Sequence, residues 1–358
     1  MLYNFIVPSF WFISGVNLLR YISFRTMCAL LTSLIISFLL YPAFIKRSKH
    51  SQPIRSYGPE SHILQKQGTP TMGGAIIIAG TVISSLLWGD IRNNYLILLL
   101  LLTSAYCFIG FFDDMAKVKR KNSSGIRGRK KLLLQTVAAL IFSYFIESFR
   151  SPEVAGCLTF PFLKNFTINC GSFLIVFTTF VIVGSSNAVN LTDGLDGLAT
   201  FPSMLTVLCL GIISYMVGHI IFANYLQVAY IASVGELCIF CGALIGACLG
   251  FLWYNAPPAM IFMGDTGSLA IGAALGGISV IIKHEFVLAI VGGLFVLEAL
   301  SVIIQVTYFQ VTGKRIFLMA PIHHHFEKKG WTESTIVIRF WIISFVFALI
   351  GLATLKIR

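Results

Sequence analysis

An all-α integral membrane protein with about ten transmembrane helices is the fold class this sequence predicts, on three observations. The chain of 358 residues is 57% hydrophobic and only 11% charged, with a mean hydropathy of +0.86, whereas soluble domains carry about 25% charged residues. Apolar stretches of the ~20 residues needed to cross a bilayer recur from residue 21 to the end, with short polar breaks. Basic residues gather in alternate breaks. No soluble domain is legible, so residues 21–358 read as one polytopic domain. Residues 1–20 lack a basic n-region and a small-residue cleavage site, which predicts an interfacial or partly inserted segment and not a removed signal peptide.

In chain order the expected spans run roughly from 21 to 45, 72 to 89, 94 to 112, 132 to 149, 172 to 188, 201 to 220, 229 to 251, 267 to 283, 286 to 311 and 335 to 355. An even number returns both termini to one side. One set of alternate loops, around 46–66, 117–131 and 314–339, carries 18 of the 26 Lys and Arg residues. The positive-inside rule makes those loops cytoplasmic and places both termini on the periplasmic side. The net charge of +12 then lies along the inner membrane surface, where it sets topology and attracts anionic lipids or substrates. It gives no reason to expect a nucleic-acid partner.

Five aspartates fall at the inner ends of these spans, where an unpaired carboxylate is costly and marks a functional candidate. "FFDD" closes the third span with Asp113 and Asp114; adjacent helical residues diverge by about 100°, so at most one is expected to point into a given site. The plainer reading is a helix end entering water. In "NLTDGLDGL", Asp193 and Asp196 join Asn190 and Thr192 in an all-oxygen environment suited to a hard cation or a nucleoside. A polar loop between spans is its alternative. "FMGDTGSL" places Asp265 before Thr266 and Ser268 at a helix start, where phosphate and Mg²⁺ together satisfy both the free N–H groups and the carboxylate; a plain N-cap is the alternative.

"GTPTMGG", residues 68–74, reads either as a rigid turn or as backbone close to a ligand with Lys66 in reach. "APIHHHFEKKGW", residues 320–331, supplies three adjacent histidines that cannot all converge on one zinc ion. Contacts to a polar or phosphorylated substrate suit them better. The "CIFC" of Cys238 and Cys241 reads as small-residue packing. Cys157 and Cys170 share one outer loop and could be bridged in an oxidising space. A transporter would spread its acids through the membrane, whereas here Glu298, with Glu236 as a weaker case, is the acid placed deep within a span. The clustering at one face favours an interfacial enzyme over a lipid-carrier transporter.

Together, GTPTMGG, FFDD, NLTDGLDGL, FMGDTGSL and APIHHHFE, in this order over residues 21–355, resemble the polyprenyl-phosphate N-acetylhexosamine-1-phosphate transferase superfamily. The histidine motif resembles its phospho-N-acetylmuramoyl-pentapeptide transferase branch; residues 1–20 match nothing in it. The resemblance implies transfer of phospho-MurNAc-pentapeptide from UDP-MurNAc-pentapeptide to undecaprenyl phosphate at the cytoplasmic face of the bacterial inner membrane, giving lipid I and UMP with Mg²⁺. It also admits a homodimer. By the same resemblance Asp265 would hold the metal, Asp113 and Asp114 would flank the acceptor phosphate, and His323, His324 and His325 would approach the donor's phosphates and sugar. Asn190, Asp193, Gly194, Leu195, Asp196, Asn255 and Phe262 would form the uridine side, with Lys66, Thr71 and Lys117 nearby. A relative transferring N-acetylglucosamine-1-phosphate is the nearest alternative.

Overall fold

The protein is described by a computed structural model over residues 2–9, 14–47, 68–120, 125–152, 154–163 and 166–356. A short helix α1 (Leu2–Ser9) and a 3-10 turn (Ser14–Arg20) precede α2 (Ile22–Arg47), α3 (Gly74–Trp88), α4 (Asn94–Arg120) and α5 (Gly128–Phe149). A hairpin of β1 (Cys157–Thr159) and β2 (Thr167–Asn169) leads to α6 (Phe173–Thr192), α7 (Thr200–Val217), α8 (Ile220–Leu226) and α9 (Leu237–Asn255). Then come α10 (Gly264–Ile281), α11 (Glu285–Val291), α12 (Gly293–Thr312), α13 (Ile322–Lys328) and α14 (Glu333–Ala353).

Among the described residues nine helices are long and apolar enough to cross a membrane: α2, α4, α5, α6, α7, α9, α10, α12 and α14. The chain is a multi-pass membrane protein. Three expectations need correction. The span expected over 72–89 is the 15-residue α3, about 22 Å at 1.5 Å per residue and so shorter than a ~30 Å hydrocarbon core. Its start is delayed because residues 70–73 are tied by backbone hydrogen bonds to Phe262 (Phe262 N to Pro70 O, 2.9 Å; Gly73 N to Phe262 O, 2.9 Å). The expected span 286–311 breaks at Gly292 into α11 and α12. The fold is also not purely helical: β1 and β2 pair antiparallel, with Cys157 opposite Asn169. Cys157 and Cys170 are both free thiols, so the structure contains no bridge between them.

Within a bilayer, helices attract one another by close packing and polar contacts more than by hydrophobic burial, which favours small residues at the seams. Here α9 packs on α2 through Gly242, Gly246 and Gly250; a Cβ at any of them would come within 2.7 Å of Thr26, Leu30 or Ser37. The opposite face of α2 carries Leu31, Ile35 and Leu39, all exposed, as a lipid-facing stripe requires. Cys238 and Cys241 lie buried in the same bundle, Cys241 against Gly211. The centre is α10, whose spanning window is 94% buried and which packs against α3, α4, α6 and α7. Ser185 and Ser186 of α6 donate to the carbonyls of Gly272 and Leu269 (2.8 and 2.9 Å). These contacts fix α10, and hence Asp265 in its first turn, against α4 and α6.

Candidate functional site

Three carboxylates meet where α10 begins. Asp113 and Asp114 lie near the end of α4, and one ligand oxygen from each lies with one from Asp265 inside a span of 4.8 Å. Gly110, one turn before Asp114, makes the approach possible: a Cβ there would lie 2.2 Å from the Asp265 carbonyl oxygen. Gly264 has φ +74°, and a Cβ on it would lie 2.5 Å from Asp114 Oδ2, so backbone conformation and space both demand glycine. The expectation that only one of the adjacent acids faces the site is overturned. Because α10 starts directly against Gly110, each reaches the centre from its own side.

All four oxygens of this pair are engaged. Asp114 Oδ2 accepts hydrogen bonds from Thr266 N (2.9 Å) and Thr266 Oγ1 (2.7 Å), and Asp113 Oδ1 accepts from Ile126 N (2.7 Å). Lys117 Nζ lies 2.8 Å from Asp113 Oδ2, 3.4 Å from Asp114 Oδ1 and 3.1 Å from Asp265 Oδ1. Lys131 pairs with Asp265 Oδ2 and stands 3.6 Å from Asp113 Oδ2. Asn190 Nδ2 donates to Asp265 Oδ1 (3.1 Å) and to Ser268 Oγ (2.8 Å). Two ammonium groups therefore face three carboxylates. Three hard oxygen donors within 4.8 Å of one another form a group that could hold a divalent cation. Asp265 is not an N-cap: α10 starts at Gly264 with Met263 at the cap position and no side-chain cap bond.

Lys131 is a site residue that sequence reasoning left among the topology-setting charges. Only the fold brings it 134 positions along the chain to Asp265. The Asp193–Gly197 turn follows α6 and is locked from behind. Asn255 Oδ1 accepts from Gly197 N (2.9 Å) while its Nδ2 donates to Ile261 O (2.9 Å). Asp196 accepts from Ala259 N (2.9 Å) and its own N–H donates to Glu333 (2.8 Å). Leu195 is buried with Ile336, Val337 and Phe340. Of the residues expected on the uridine side, Asn190 touches the aspartate centre. Asp196, Asn255 and Leu195 are buried, whereas Asp193, Gly194 and Phe262 keep partial exposure. Thr71 is buried, 3.0 Å from where a Gly264 Cβ would lie. Lys66 lies outside the described residues.

The histidines of α13 diverge as adjacent helical side chains must. His323 is fully buried with its Nε2 toward Gly194, where a Cβ would come within 2.3 Å of it. Its Nδ1 is 3.1 Å from Glu298 Oε1, also fully buried; the pair is close, but its atoms are not aligned as a hydrogen bond. His324 Nδ1 meets Glu327 at 2.5 Å, and His325 Nδ1 accepts from Leu318 N (3.1 Å). Burial, then the Lys329 ammonium, lowers the His325 pKa below the usual histidine value. Glu236 is held by Arg25 (Nη1 to Oε2, 2.8 Å), so both acids expected inside spans have a basic neighbour. A cavity of about 550 Å³ opens instead beside Arg92, Tyr95 and Arg150, at the other end of α4 from Asp113 and about 28 Å along its axis. Among the described residues no carboxylate cluster lines it, and the aspartate centre is the candidate site.

The chain is also similar to known proteins. Residues 96–283 match the family described as Glycosyl transferase family 4, and residues 66–78 match the Phospho-N-acetylmuramoyl-pentapeptide-transferase signature 1. Proteins named phospho-N-acetylmuramoyl-pentapeptide-transferase are similar over essentially their whole length. That of Pelagibacter ubique is 54% identical with 100% of both chains covered, and that of Granulibacter bethesdensis is 57% identical with 96% of both covered. That of Rickettsia felis is 55% identical, again with 100% of both chains covered.

Proposed function

The chain belongs to the phospho-N-acetylmuramoyl-pentapeptide transferase family, and on that premise we propose that its aspartate centre performs metal-assisted phosphoryl transfer between a nucleotide donor and a lipid phosphate. It is a membrane transferase of peptidoglycan synthesis that transfers phospho-N-acetylmuramoyl-pentapeptide. The donor is UDP-MurNAc-pentapeptide, the acceptor undecaprenyl phosphate, and the products are lipid I and UMP. Residues 21–358 act as one transferase unit in the bacterial inner membrane, with the short α3 making a tenth crossing, both termini outside and the aspartates facing the cytoplasm. The charge asymmetry of the loops supports that orientation.

The observation that carries the reading is the convergence of Asp113, Asp114 and Asp265 within 4.8 Å. Those carboxylates would hold Mg²⁺, which supplies charge neutralisation on the donor diphosphate. Asn190 orients Asp265, Thr266 orients Asp114, and Lys117 spreads positive charge over all three acids. An acceptor oxygen attacks the sugar-linked phosphorus, and the bond to UMP breaks with its electron pair leaving on UMP. A phosphate monoester, with a second pKa near ~6, is already mostly dianionic at cytoplasmic pH. With the oxygens of Asp113 and Asp114 all engaged, direct attack is favoured over a covalent aspartyl intermediate. The loop from Asp193 to Asp196 and Phe262 receives the uridine, with Lys66, Thr71 and Asn255 supporting it. His324 and His325 face the donor's phosphates and sugar, and the buried His323 supports them from behind, between Gly194 and Glu298.

The test is UMP release by purified protein from UDP-MurNAc-pentapeptide with undecaprenyl phosphate. Wild type requires Mg²⁺, and Asp265→Asn, still folded, loses nearly all turnover. Near-normal Mg²⁺-dependent turnover of that variant refutes metal ligation.

A further inference from the structure

The centre already contains two cations of its own, and they are not equivalent. Lys117 is buried and lies on the same helix as Asp113 and Asp114, at i+4 and i+3, bridging all three carboxylates. Lys131 comes from the first turn of α5, and its side chain keeps 17% exposure against 7% for Lys117. Its ammonium reaches only Oδ2 of Asp265 and, at 3.6 Å, Oδ2 of Asp113. Those two oxygens belong to carboxylates of different helices, Asp113 and Asp265, which are among the residues that would hold the metal. Asp265 Oδ1 is meanwhile kept by Lys117 and Asn190. A divalent cation entering among these carboxylates repels both ammoniums, but Lys117 contacts Asp113, Asp114 and Asp265 from the helix that carries two of them, whereas the more exposed Lys131 is tied only to Asp265 and Asp113. The long, flexible lysine stem allows the ammonium to yield without moving the backbone.

From this juxtaposition we infer that Lys131 is an exchangeable counter-ion: it holds Asp265 and Asp113 together in the metal-free protein and leaves them when the divalent cation enters. The inference rests on the metal-assisted reading above. No covalent bond is made or broken; one ion pair is replaced by metal–carboxylate contacts. Lys131 is thus a positioning residue for the acids, while Lys117, on the same helix as two of them, remains in place. Such an exchange couples Lys131 to the metal with opposite sign. Removing the charge weakens the metal-free centre and strengthens metal binding.

The experiment titrates Mn²⁺ into the purified full-length protein, following free Mn²⁺ by electron paramagnetic resonance without donor or acceptor. Wild type, Lys131→Met and Lys131→Arg are compared per folded molecule, with Lys131→Gln as a second neutral variant should Lys131→Met aggregate. The neutral variants are expected to bind Mn²⁺ more tightly than wild type, within the ~5- to 150-fold range usual for coupled sites. Lys131→Arg, which keeps the charge, is not. Metal-free Lys131→Met should melt below wild type, and saturating Mn²⁺ should narrow that gap. Equal or weaker Mn²⁺ binding by the neutral variants overturns the exchange while leaving the metal-assisted reading intact. Absence of Mn²⁺ binding by wild type and variants alike overturns both.

Discussion

Gly110→Ala tests whether the helix contact at the start of α10 sets the chemistry. The added Cβ would lie 2.2 Å from the Asp265 carbonyl oxygen, 2.4 Å from its carbonyl carbon and 2.6 Å from Thr266 N. These are backbone atoms and cannot rotate away. Relief to ordinary contact, about 3.5 Å, requires α4 and α10 to part by about 1 Å at this level. Overpacking of this kind costs about 1–3 kcal/mol of stability, and a ~1 Å misplacement of reacting groups can cost about 100-fold in rate. The parting also separates Asp265 from Asp113 and Asp114, which sit on the other helix. UMP release per folded molecule should fall by about two orders of magnitude, well beyond the stability loss. Gly277→Ala is the control in the same seam, where the Cβ would meet side-chain ends, those of Leu102 (2.8 Å), Leu99 (3.0 Å) and Phe142 (3.5 Å). It should melt lower yet turn over close to wild type. Unchanged turnover by Gly110→Ala, or equal losses in both variants, would refute the reasoning.

Other perturbations follow from the same geometry. Asn255→Leu leaves Gly197 N–H and Ile261 C=O buried without their partner, at about 1–3 kcal/mol each, so thermal melting should show a marked loss of stability; an unchanged midpoint contradicts the latch. Burial pushes the Glu285 carboxyl up to about 7, against the opposing pull of Arg150. Its stabilising proton is fully present below the ordinary value of 4.5 and is lost as pH rises through about 7. Melting midpoints should therefore decline over that window in wild type and less in Glu285→Gln, and parallel profiles would dismiss the assignment. Alanine at His324 or His325 should cut turnover with UDP-MurNAc-pentapeptide about tenfold or more, the cost of a charge-assisted contact. His323→Ala should also lower the melting midpoint, because Glu298 is left buried alone. Unchanged kinetics at all three would leave the histidines as loop packing. An impermeant thiol reagent added to intact cells should label Arg92→Cys and spare Arg129→Cys; the reverse would place the aspartates outside.

The acids at the site were legible because a carboxylate at the end of an apolar span demands a reason, and five such aspartates fall at one face. Their convergence was not. It depends on Gly110 admitting the backbone of a helix 155 positions later in the chain, a relation no local spacing carries. The same holds for Lys131, indistinguishable in sequence from its neighbours Arg129 and Lys130, which face outward. Hydropathy located the spans but runs smoothly through Gly292, where the Gly292-Gly293 pair breaks the helix. It also counted residues 72–73 as α3, although tethering around Phe262 delays the start. Asn255 was expected on the uridine side only through the family resemblance. In the fold its amide joins the 197 and 261 loops.

The central claim, a divalent cation held by Asp113, Asp114 and Asp265, is tested most directly by the anomalous scattering of Mn²⁺ soaked into crystals of the protein. A peak at direct-bond distance from an Asp265 oxygen, about 2 Å for a small divalent ion, with Asp113 and Asp114 around it and lost in Asp265→Asn, is the predicted result. A peak held by the histidines of α13, or none at Mn²⁺ levels that sustain UMP release, would contradict the account.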